Sequence, residues 1–129
     1  MQTAIRIEDE ELTGWGLYSH ARSRVVRPQS VEDVAQLFAE ASASGETIAL
    51  RGAGCSYGDA ALNEGHTVLD CQQLNRILEW DAETGRAVVE PGVTVNRLWR
   101  RTLSDGWWPY VVPGTSTVTM VAIRPSFFS

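Results

Sequence analysis

The residues with the clearest chemical potential form a glycine-rich stretch directly after a short apolar segment. Residues 51–58 read Arg-Gly-Ala-Gly-Cys-Ser-Tyr-Gly and follow the apolar residues 48–50. The three glycines can adopt positive φ and let backbone N–H groups approach an anion closely, and Ser56 adds a hydroxyl donor. Phosphate binding fits this pattern, but so does a plain turn. The stretch by itself leaves both interpretations open.

Two common phosphate-binding loops do not match this stretch. A dinucleotide-binding fold requires G-x-G-x-x-G at the start of a helix, but position 57 is Tyr and residues 59–65 are too few for the crossover helix. A nucleoside triphosphatase loop requires Gly-Lys followed by Ser or Thr, which the sequence lacks. A phosphate site here would therefore belong to a third architecture.

A second polar loop supports the ligand-binding interpretation. Residues 113–120 read Pro-Gly-Thr-Ser-Thr-Val-Thr-Met, which combines a glycine with four hydroxyl side chains. Small donors of this kind can line a wall of a polar ligand site. Because each loop follows a predicted strand, the two together indicate one shared site.

The other reactive side chains suggest no catalytic arrangement. His20 and His66 are isolated in polar segments, which favours surface positions over acid–base catalysis. Cys55 and Cys71 have neither CxxC nor histidine spacing for zinc, and two cysteines are too few for a disulfide framework. We expect reduced thiols, no metal site and no catalytic residue.

The elements that must position the first loop form a predicted strand–helix–strand unit. Residues 24–27 resemble a short strand, and Ser30 with Asp33 three residues later resembles a capping box for a helix over residues 31–44. The apolar face of that helix is predicted to carry Val31, Val34, Leu37, Phe38 and Ala41. A strand over residues 47–50 would then complete a crossover between parallel strands.

The second half of the sequence indicates an antiparallel arrangement. Residues 67–70 predict another strand, and residues 76–80 and 86–90 flank a loop of hairpin length. Thr94 can cap a second helix, and residues 107–112 predict a final strand. The inner face of that helix is predicted to carry Val95, Leu98, Trp99 and Leu103.

Composition excludes several classes of protein. The 129 residues carry a formal net charge of −5, which argues against nucleic acid as a partner. No apolar run is long enough to span a membrane, and the first six residues lack the apolar core of a signal peptide, so we expect a cytoplasmic protein. Residues 1–11 are polar and acidic and are expected to form a loosely held lead-in.

Four segments occur together in a distinctive order. They are residues 51–59, residues 68–70 (Val-Leu-Asp), residues 90–93 (Glu-Pro-Gly-Val) and residues 113–119. This combination resembles the FAD-binding domain of the vanillyl-alcohol-oxidase flavoprotein superfamily, with the strongest likeness to aldonolactone oxidases and the decaprenylphosphoryl-ribose 2′-oxidase type. The resemblance implies an α+β fold, the N-terminal part of the FAD-binding PCMH-type fold, in which a small parallel β-α-β subdomain precedes a mainly antiparallel sheet with helices.

The resemblance also implies an extended FAD. Loop 51–59 would wrap the pyrophosphate with backbone N–H groups, and loop 113–120 would run beside it toward the flavin. Asp59 would orient loop amides or ribose hydroxyls, or would be a solvated turn residue. The cofactor-binding residues carried over are Arg51, Gly52, Ala53, Gly54, Cys55, Ser56, Tyr57, Gly58, Asp59, Gly114, Thr115, Ser116, Thr119 and Met120.

Position 55 departs from part of the family. In the lactone-oxidase and berberine-bridge branches the matching residue is a His bonded to the flavin, whereas the epimerase-oxidase branch has a non-bonding residue. Cys55 is therefore expected to lie beside a non-covalent FAD, with an 8α-cysteinyl bond as the alternative. Trp107 and Trp108 could form an aromatic wall near the flavin, whereas strand alternation would place one of them in the core.

The likeness ends near residue 120. Where the family continues with Gly-Gly and a His-Gly-like stretch, residues 121–129 diverge, and side chains at 121 and 122 would intrude on the cofactor. We therefore expect an incomplete FAD-binding domain over residues 12–120 without the substrate domain, from an oxidoreductase that transfers a hydride from a sugar or sugar-lactone alcohol to flavin N5. A non-catalytic flavin-binding subunit completed by a companion chain and a flavin-free remnant are the alternatives.

Overall fold

The computed structural model describes residues 5–109 and 112–122. In chain order its main elements are β1 (Arg6–Thr13), β2 (His20–Arg27), α1 (Val31–Ser44), β3 (Ile48–Arg51), β4 (Thr67–Asp70), β5 (Ile77–Asp81), β6 (Arg86–Val89) and α2 (Val95–Thr102). Short 3-10 turns follow at Leu103–Asp105 and Met120–Ala122. No helix within residues 5–109 and 112–122 combines the length and apolar character that crossing a membrane would need.

The first four strands form one sheet in the order β1-β2-β4-β3. Strands β2 and β3 both pair in parallel with β4, and α1 connects them, which confirms the predicted crossover. Strands β5 and β6 form a separate antiparallel hairpin, which was also predicted. The sheet therefore delivers the chain into loop 51–59 at the carboxyl end of β3.

Helix α1 has the bounds that its capping residues and its terminal glycine predict. The Ser30 hydroxyl accepts a hydrogen bond from the Asp33 N–H at 3.1 Å, and the Asp33 carboxylate accepts one from the Ser30 N–H at 3.1 Å. Gly45 ends the helix with a φ of 72°. The reciprocal cap satisfies N–H groups that the first helical turn leaves without partners.

The buried face of α1 is narrower than predicted. Leu37 packs with Val26 and Leu69 in the core cluster. Val31 and Phe38, both predicted to lie on the inner face, are 65% and 47% exposed. The covered part of the helix packs against the two central strands, since Val26 belongs to β2 and Leu69 to β4.

The expectation of a loosely held lead-in over residues 1–11 is wrong from Arg6 onward. Strand β1 pairs with β2 in antiparallel register over its whole length. The Arg27 guanidinium binds the Glu10 carboxylate through two nitrogens and also lies 3.2 Å from the Asp70 carboxylate. The acidic composition that suggests a loose segment instead supplies partners for a cation on the neighbouring strand.

Helix α2 begins as predicted and ends earlier than its apolar pattern indicates. The Thr94 hydroxyl accepts a hydrogen bond from the Arg97 N–H at 3.1 Å. Val95 and Thr102 are buried, whereas Leu103, predicted to lie on the inner face, is 49% exposed. Leu103 is the first residue of the 3-10 turn that directly follows the helix.

The predicted strand over residues 107–112 is wrong for Trp107 to Pro109, which lie in a loop. Trp107 closes the end of α2 instead. Its N–H donates to the Thr102 carbonyl at 3.2 Å, and its carbonyl accepts from the Thr102 hydroxyl at 3.1 Å. Tyr110 and Val111 lie outside the described residues.

The segment Glu90 to Val93 ties the hairpin to the sheet. The buried Glu90 carboxylate accepts hydrogen bonds from the Arg76 N–H at 2.7 Å and from its guanidinium at 2.7 and 3.0 Å. The Gly92 N–H donates to the Leu74 carbonyl at 2.7 Å, and Val93 is fully buried. This short segment therefore joins the two sheets.

Acid is expected to weaken the fold through Glu90. The Arg76 guanidinium holds the pKa of this carboxyl below its ordinary 4.5, so its stabilising contribution is complete above that pH and is lost as the pH falls through the lowered value. Urea midpoints at pH 7, 5, 4 and 3 should be flat down to about 5 and then fall. Glu90→Gln should be less stable at pH 7 and should lose less below pH 5. Equal losses in both proteins would contradict this assignment.

Candidate functional site

Loop 51–59 leaves β3 at Arg51 and turns at two of its glycines. Gly54 and Gly58 have φ values of 73° and 64°, the left-handed conformation that glycine adopts readily. Gly52 does not have positive φ. Its missing side chain instead leaves room for the Thr119 hydroxyl, which a Cβ at position 52 would overlap. Two glycines therefore shape the loop, and the third permits close contact with the second loop.

The backbone N–H groups of residues 52–59 donate to no backbone carbonyl in the described part of the chain. The loop is held from outside instead, where the Ser56 carbonyl accepts a hydrogen bond from the Trp15 N–H at 3.0 Å. Successive N–H groups around left-handed glycines form concave sites that bind anions. This loop therefore supplies a set of donors suited to a phosphate.

Loop 113–120 is anchored on the N-terminus of α2. The Val95 N–H donates to the Val118 carbonyl and the Asn96 N–H to the Ser116 carbonyl, each at 2.9 Å. Thr94 and Thr119 form an isolated antiparallel bridge. These bonds satisfy the first N–H groups of the helix and fix the second loop beside the first.

The two predicted loops meet. Cys55 Sγ lies 3.8 Å from Thr117 Oγ1, which lies 3.0 Å from Thr115 Oγ1. On the buried side, the Thr119 hydroxyl packs against Gly52. Thr119 is 2% exposed, and its Oγ1 has no hydrogen-bond partner among the described residues. The predicted pair of loops is thus one continuous polar surface.

This donor set fits the diphosphate of a dinucleotide such as FAD. Within residues 5–109 and 112–122 it combines unpaired backbone N–H groups, a glycine without a side chain at the point of closest approach, and a buried hydroxyl without a partner. Buried hydroxyls almost always have a hydrogen-bond partner, so the exception at Thr119 marks a position where a donor or acceptor is expected. The residues that would hold the cofactor lie between Gly52 and Asp59 and between Gly114 and Met120.

The remaining predicted contact residues occupy varied positions in the two loops. Tyr57 and Asp59 are exposed, and the Asp59 carbonyl accepts a hydrogen bond from Leu62 within a turn. Gly114 is exposed, and a Cβ there would meet nothing within 4 Å. Met120 is half-buried and donates its N–H to the Val93 carbonyl at 2.9 Å. Their contacts with a cofactor stay predictions.

Val121, the first residue after the second loop, is part of the fold. Its N–H donates to the Pro91 carbonyl at 2.9 Å, and its side chain packs against the core cluster. The chain therefore continues in the fold through residue 122, the last one described. A Cβ at Gly52 would lie 3.0 Å from the Val121 side chain, and the intrusion of this side chain on a bound cofactor stays a prediction.

Sequence reasoning missed the turn between β1 and β2 as part of the site. A Cβ at Gly14 would overlap the Gly58 carbonyl, and the Thr13 carbonyl accepts a hydrogen bond from the Arg51 guanidinium at 3.0 Å. Trp15, also in this turn, holds Ser56 as described above. The Gly-Trp-Gly sequence is typical of a tight turn. Its contact with loop 51–59, about 40 residues later in the sequence, is seen only in the tertiary structure.

The adjacent tryptophans pack on the hairpin and on α2. Trp107 donates its indole N–H to the Ala82 carbonyl at 2.8 Å and contacts Trp80 edge to face at 6.5 Å. Trp108 lies over Trp99 with ring centroids 5.5 Å apart. Both rings keep more than a third of their surface exposed, so neither is a core residue.

Both histidines are exposed, as predicted. His20 Nδ1 lies 3.7 Å from the Glu11 carboxylate on the neighbouring strand. His66 precedes β4 and donates its backbone N–H to the Asn63 carbonyl at 3.0 Å.

The two cysteines are expected to differ in reactivity. Both are free thiols; Cys55 is half-buried, whereas Cys71 is 2% exposed. Burial, aided by the Asp70 carboxylate, raises the pKa of the Cys71 thiol to about 11. Because the thiolate is the reactive form, a thiol reagent should modify Cys55 alone in the folded chain and both cysteines after unfolding. Rapid modification of two thiols under native conditions would contradict the buried placement of Cys71.

Comparison with known proteins assigns this chain to a family. The sequence profile described as FAD binding domain matches residues 23–123. Decaprenylphosphoryl-beta-D-ribose oxidase from Mycolicibacterium smegmatis is 35% identical over 112 residues, which are 86% of this chain and 24% of that protein. L-gulono-1,4-lactone dehydrogenase from Mycobacterium tuberculosis is 36% identical over 78 residues, 60% of this chain and 18% of that protein.

A solved structure shows the same fold. Cholesterol oxidase from B. sterolicum superposes with a TM-score of 0.77 at 16% identity, over 90% of this chain and 23% of that chain. This match confirms the predicted PCMH-type FAD-binding fold. The chain spans about a quarter of the length of the ribose oxidase and of the cholesterol oxidase. The profile match and the related sequences show that the chain belongs to the FAD binding domain family of flavin-dependent oxidoreductases.

Proposed function

We propose that this chain binds FAD non-covalently between loops 51–59 and 113–120, as the cofactor-binding part of an oxidoreductase that oxidises an alcohol of a sugar or sugar lactone. The observation that carries the proposal is the meeting of the two loops around N–H groups and a Thr119 hydroxyl that have no hydrogen-bond partner among the described residues. The sugar class is supported by the names of the relatives, a ribose oxidase and a gulonolactone dehydrogenase.

The two loops are proposed to bind different parts of the cofactor. Backbone N–H groups of residues 52–59 would donate hydrogen bonds to the pyrophosphate oxygens and stabilise their charge without cationic side chains. Hydroxyls of Thr115, Ser116 and Thr119 would bind polar groups along the second wall. Bound FAD would supply the hydride acceptor, its N5 atom, while these residues bind and orient it. The group that receives the hydroxyl proton of the substrate is expected from the part of the relatives that this chain does not span.

The second candidate function is that of a flavin-binding subunit that works with a companion chain. The match covers 23–24% of the ribose oxidase and of the cholesterol oxidase. If this chain is a separate polypeptide in the cell, it would be a flavin-binding subunit, and a partner chain would contribute the substrate-binding part. That arrangement would account for the coverage. The FAD site proposed for this chain would be the same in both contexts.

A titration with two ligands tests the FAD site. FAD should bind the purified chain with quenched flavin fluorescence, whereas riboflavin, which lacks the diphosphate and adenosine, should bind at least about tenfold more weakly, because each lost charge-assisted hydrogen bond is worth about 1.5–3 kcal/mol. FAD should also protect Cys55 from alkylation. Equal affinities for the two ligands, or no binding of FAD in excess, would overturn the proposal.

Acid precipitation tests the non-covalent mode. After precipitation of the FAD-loaded chain, the yellow colour should stay in the supernatant. Cys55→Ser is the matched variant, because it removes the only thiol of the two loops and keeps a small polar side chain. Colour that stays in the pellet of the parent chain but not of Cys55→Ser would show a cysteinyl bond and contradict the non-covalent mode.

A further inference from the structure

We propose that Arg51 and the turn between β1 and β2 are positioning groups that hold loop 51–59 in its ligand-ready shape, with Arg51 acting through the loop backbone and not as a ligand of the cofactor. The inference rests on the proposed function only for the identity of the ligand. The shape of the loop and the contacts that hold it are properties of the chain itself.

The Arg51 guanidinium joins three segments of backbone. One terminal nitrogen donates to the Thr13 carbonyl at 3.0 Å, and the other donates to the Ala61 carbonyl at 3.4 Å. The same group lies against Gly54, where a Cβ would come within 3.1 Å of its central carbon. The side chain is half-buried, and the salt bridges among the described residues do not include it. Its donors are thus directed at the end of β1 and the far end of the loop.

The turn between β1 and β2 holds the outer side of the loop. A Cβ at Gly14 would overlap the Gly58 carbonyl, so the two backbones are in direct contact. The Trp15 N–H donates to the Ser56 carbonyl at 3.0 Å. These contacts fix the loop on both sides of Tyr57.

The turn itself is a closed unit. Gly14 donates its N–H to the Ser19 carbonyl and accepts from the Leu17 N–H, each at 3.0 Å. Leu17 has a φ of 58°, a conformation that costs a residue with a side chain free energy and persists where surrounding contacts impose it. The turn is therefore closed by its own hydrogen bonds and flanked by the paired strands β1 and β2.

The loop needs such a support because it does not hold itself. Within the described chain, the N–H groups of residues 52–59 make no backbone hydrogen bonds, and these are the groups the ligand would use. A loop that kept its own N–H groups paired would have none to offer. Holding the loop through its carbonyls and through Arg51 leaves the N–H groups available and lowers the ordering cost of binding.

Cys55 reports on the loop in the absence of any ligand. Its Sγ lies 3.9 Å from the Ala53 carbonyl and 3.8 Å from Thr117 Oγ1, so loosening of the loop should expose the thiol. Iodoacetamide, a neutral reagent, measures its alkylation rate in FAD-free protein. Substitution of a residue that only contacts the cofactor would not change the Cys55 alkylation rate in FAD-free protein.

Two variants disturb the support, and a third is the control. Gly14→Ala places a methyl group on the Gly58 carbonyl. Arg51→Lys keeps the positive charge but offers a single nitrogen for two carbonyls. Gly16→Ala is in the same turn, and its Cβ would meet only the Tyr57 ring, at 3.9 Å. All three are compared with the parent chain after circular dichroism has shown equal secondary structure.

Gly14→Ala and Arg51→Lys should each raise the Cys55 alkylation rate about fivefold, as expected for easier local opening, while Gly16→Ala leaves it within about twofold. Unchanged rates in both variants, or an equal rise in Gly16→Ala, would overturn the proposal. If Gly14→Ala does not fold, the decision rests on Arg51→Lys.

A parallel FAD titration separates this inference from the proposed function. If the support acts as inferred, the variants that raise the alkylation rate should also weaken FAD binding, in the same rank order. If the parent chain binds no FAD, the proposed function fails, while the alkylation rates still decide whether Arg51 and the turn hold the loop. Weaker FAD binding by Arg51→Lys with an unchanged alkylation rate would make Arg51 a direct ligand and overturn the inference.

Discussion

Gly52→Ala is expected to weaken FAD binding by about 100-fold, or about 2.8 kcal/mol at about 1.4 kcal/mol per tenfold change. The added methyl group would overlap Thr119 Oγ1 and lie 3.0 Å from the Val121 side chain. Overpacking of a buried contact costs typically about 1–3 kcal/mol, and the displaced group here is the hydroxyl proposed to face the cofactor. Fluorescence titration with FAD measures the loss.

A double variant separates the contact from the general effect of a larger residue. Thr119→Ala alone should weaken FAD binding because it removes the hydroxyl. If the clash with that hydroxyl is the cause, adding Gly52→Ala to this variant should cost much less than it does in the parent chain, since the overlapping atom is gone. Additive losses, or wild-type affinity in Gly52→Ala, would contradict the proposed approach of the two loops.

Gly92→Ala is expected to destabilise the fold by at least about 3 kcal/mol, the upper end of the usual cost of overpacking. Its Cβ would overlap the Cys71 carbonyl and lie 2.7 Å from the Leu74 carbonyl. Both obstacles are backbone atoms, and Leu74 also accepts the Gly92 N–H, so neither can rotate away. Because small domains have only about 5–15 kcal/mol of stability, urea unfolding should show a large shift.

Gly114→Ala is the matched control for this prediction. A Cβ at position 114 would meet nothing within 4 Å, so its effect on stability should be within about 0.5 kcal/mol. A similar shift of the urea midpoint in the two variants would point to the general entropy difference between Gly and Ala instead of the contact at position 92. A midpoint of Gly92→Ala equal to that of the parent chain would contradict the packing of this segment.

Local patterns predicted the elements whose determinants lie close together in sequence. Ser30 and Asp33 are three residues apart, and helix α1 has the predicted bounds. The hairpin of β5 and β6 also follows from its own residues and its short loop. The strand β1 could not be predicted in this way, because its residues are mostly charged and show no apolar alternation; it is held by backbone pairing with β2 and by the Arg27 side chain.

The sequence by itself determined the family and the FAD-binding fold, because four motifs in a fixed order resemble those of a known family. Its glycine and hydroxyl residues also marked the two loops that would form the cofactor site, because residues of these types cluster locally in each loop. Only the tertiary structure decided what each residue does. It turned Arg51 toward backbone carbonyls, set Gly52 against Thr119, and placed the turn at Gly14 beneath the loop. These contacts join residues 38 to about 70 positions apart, and contacts across such separations depend on how the strands pack, which no local pattern specifies.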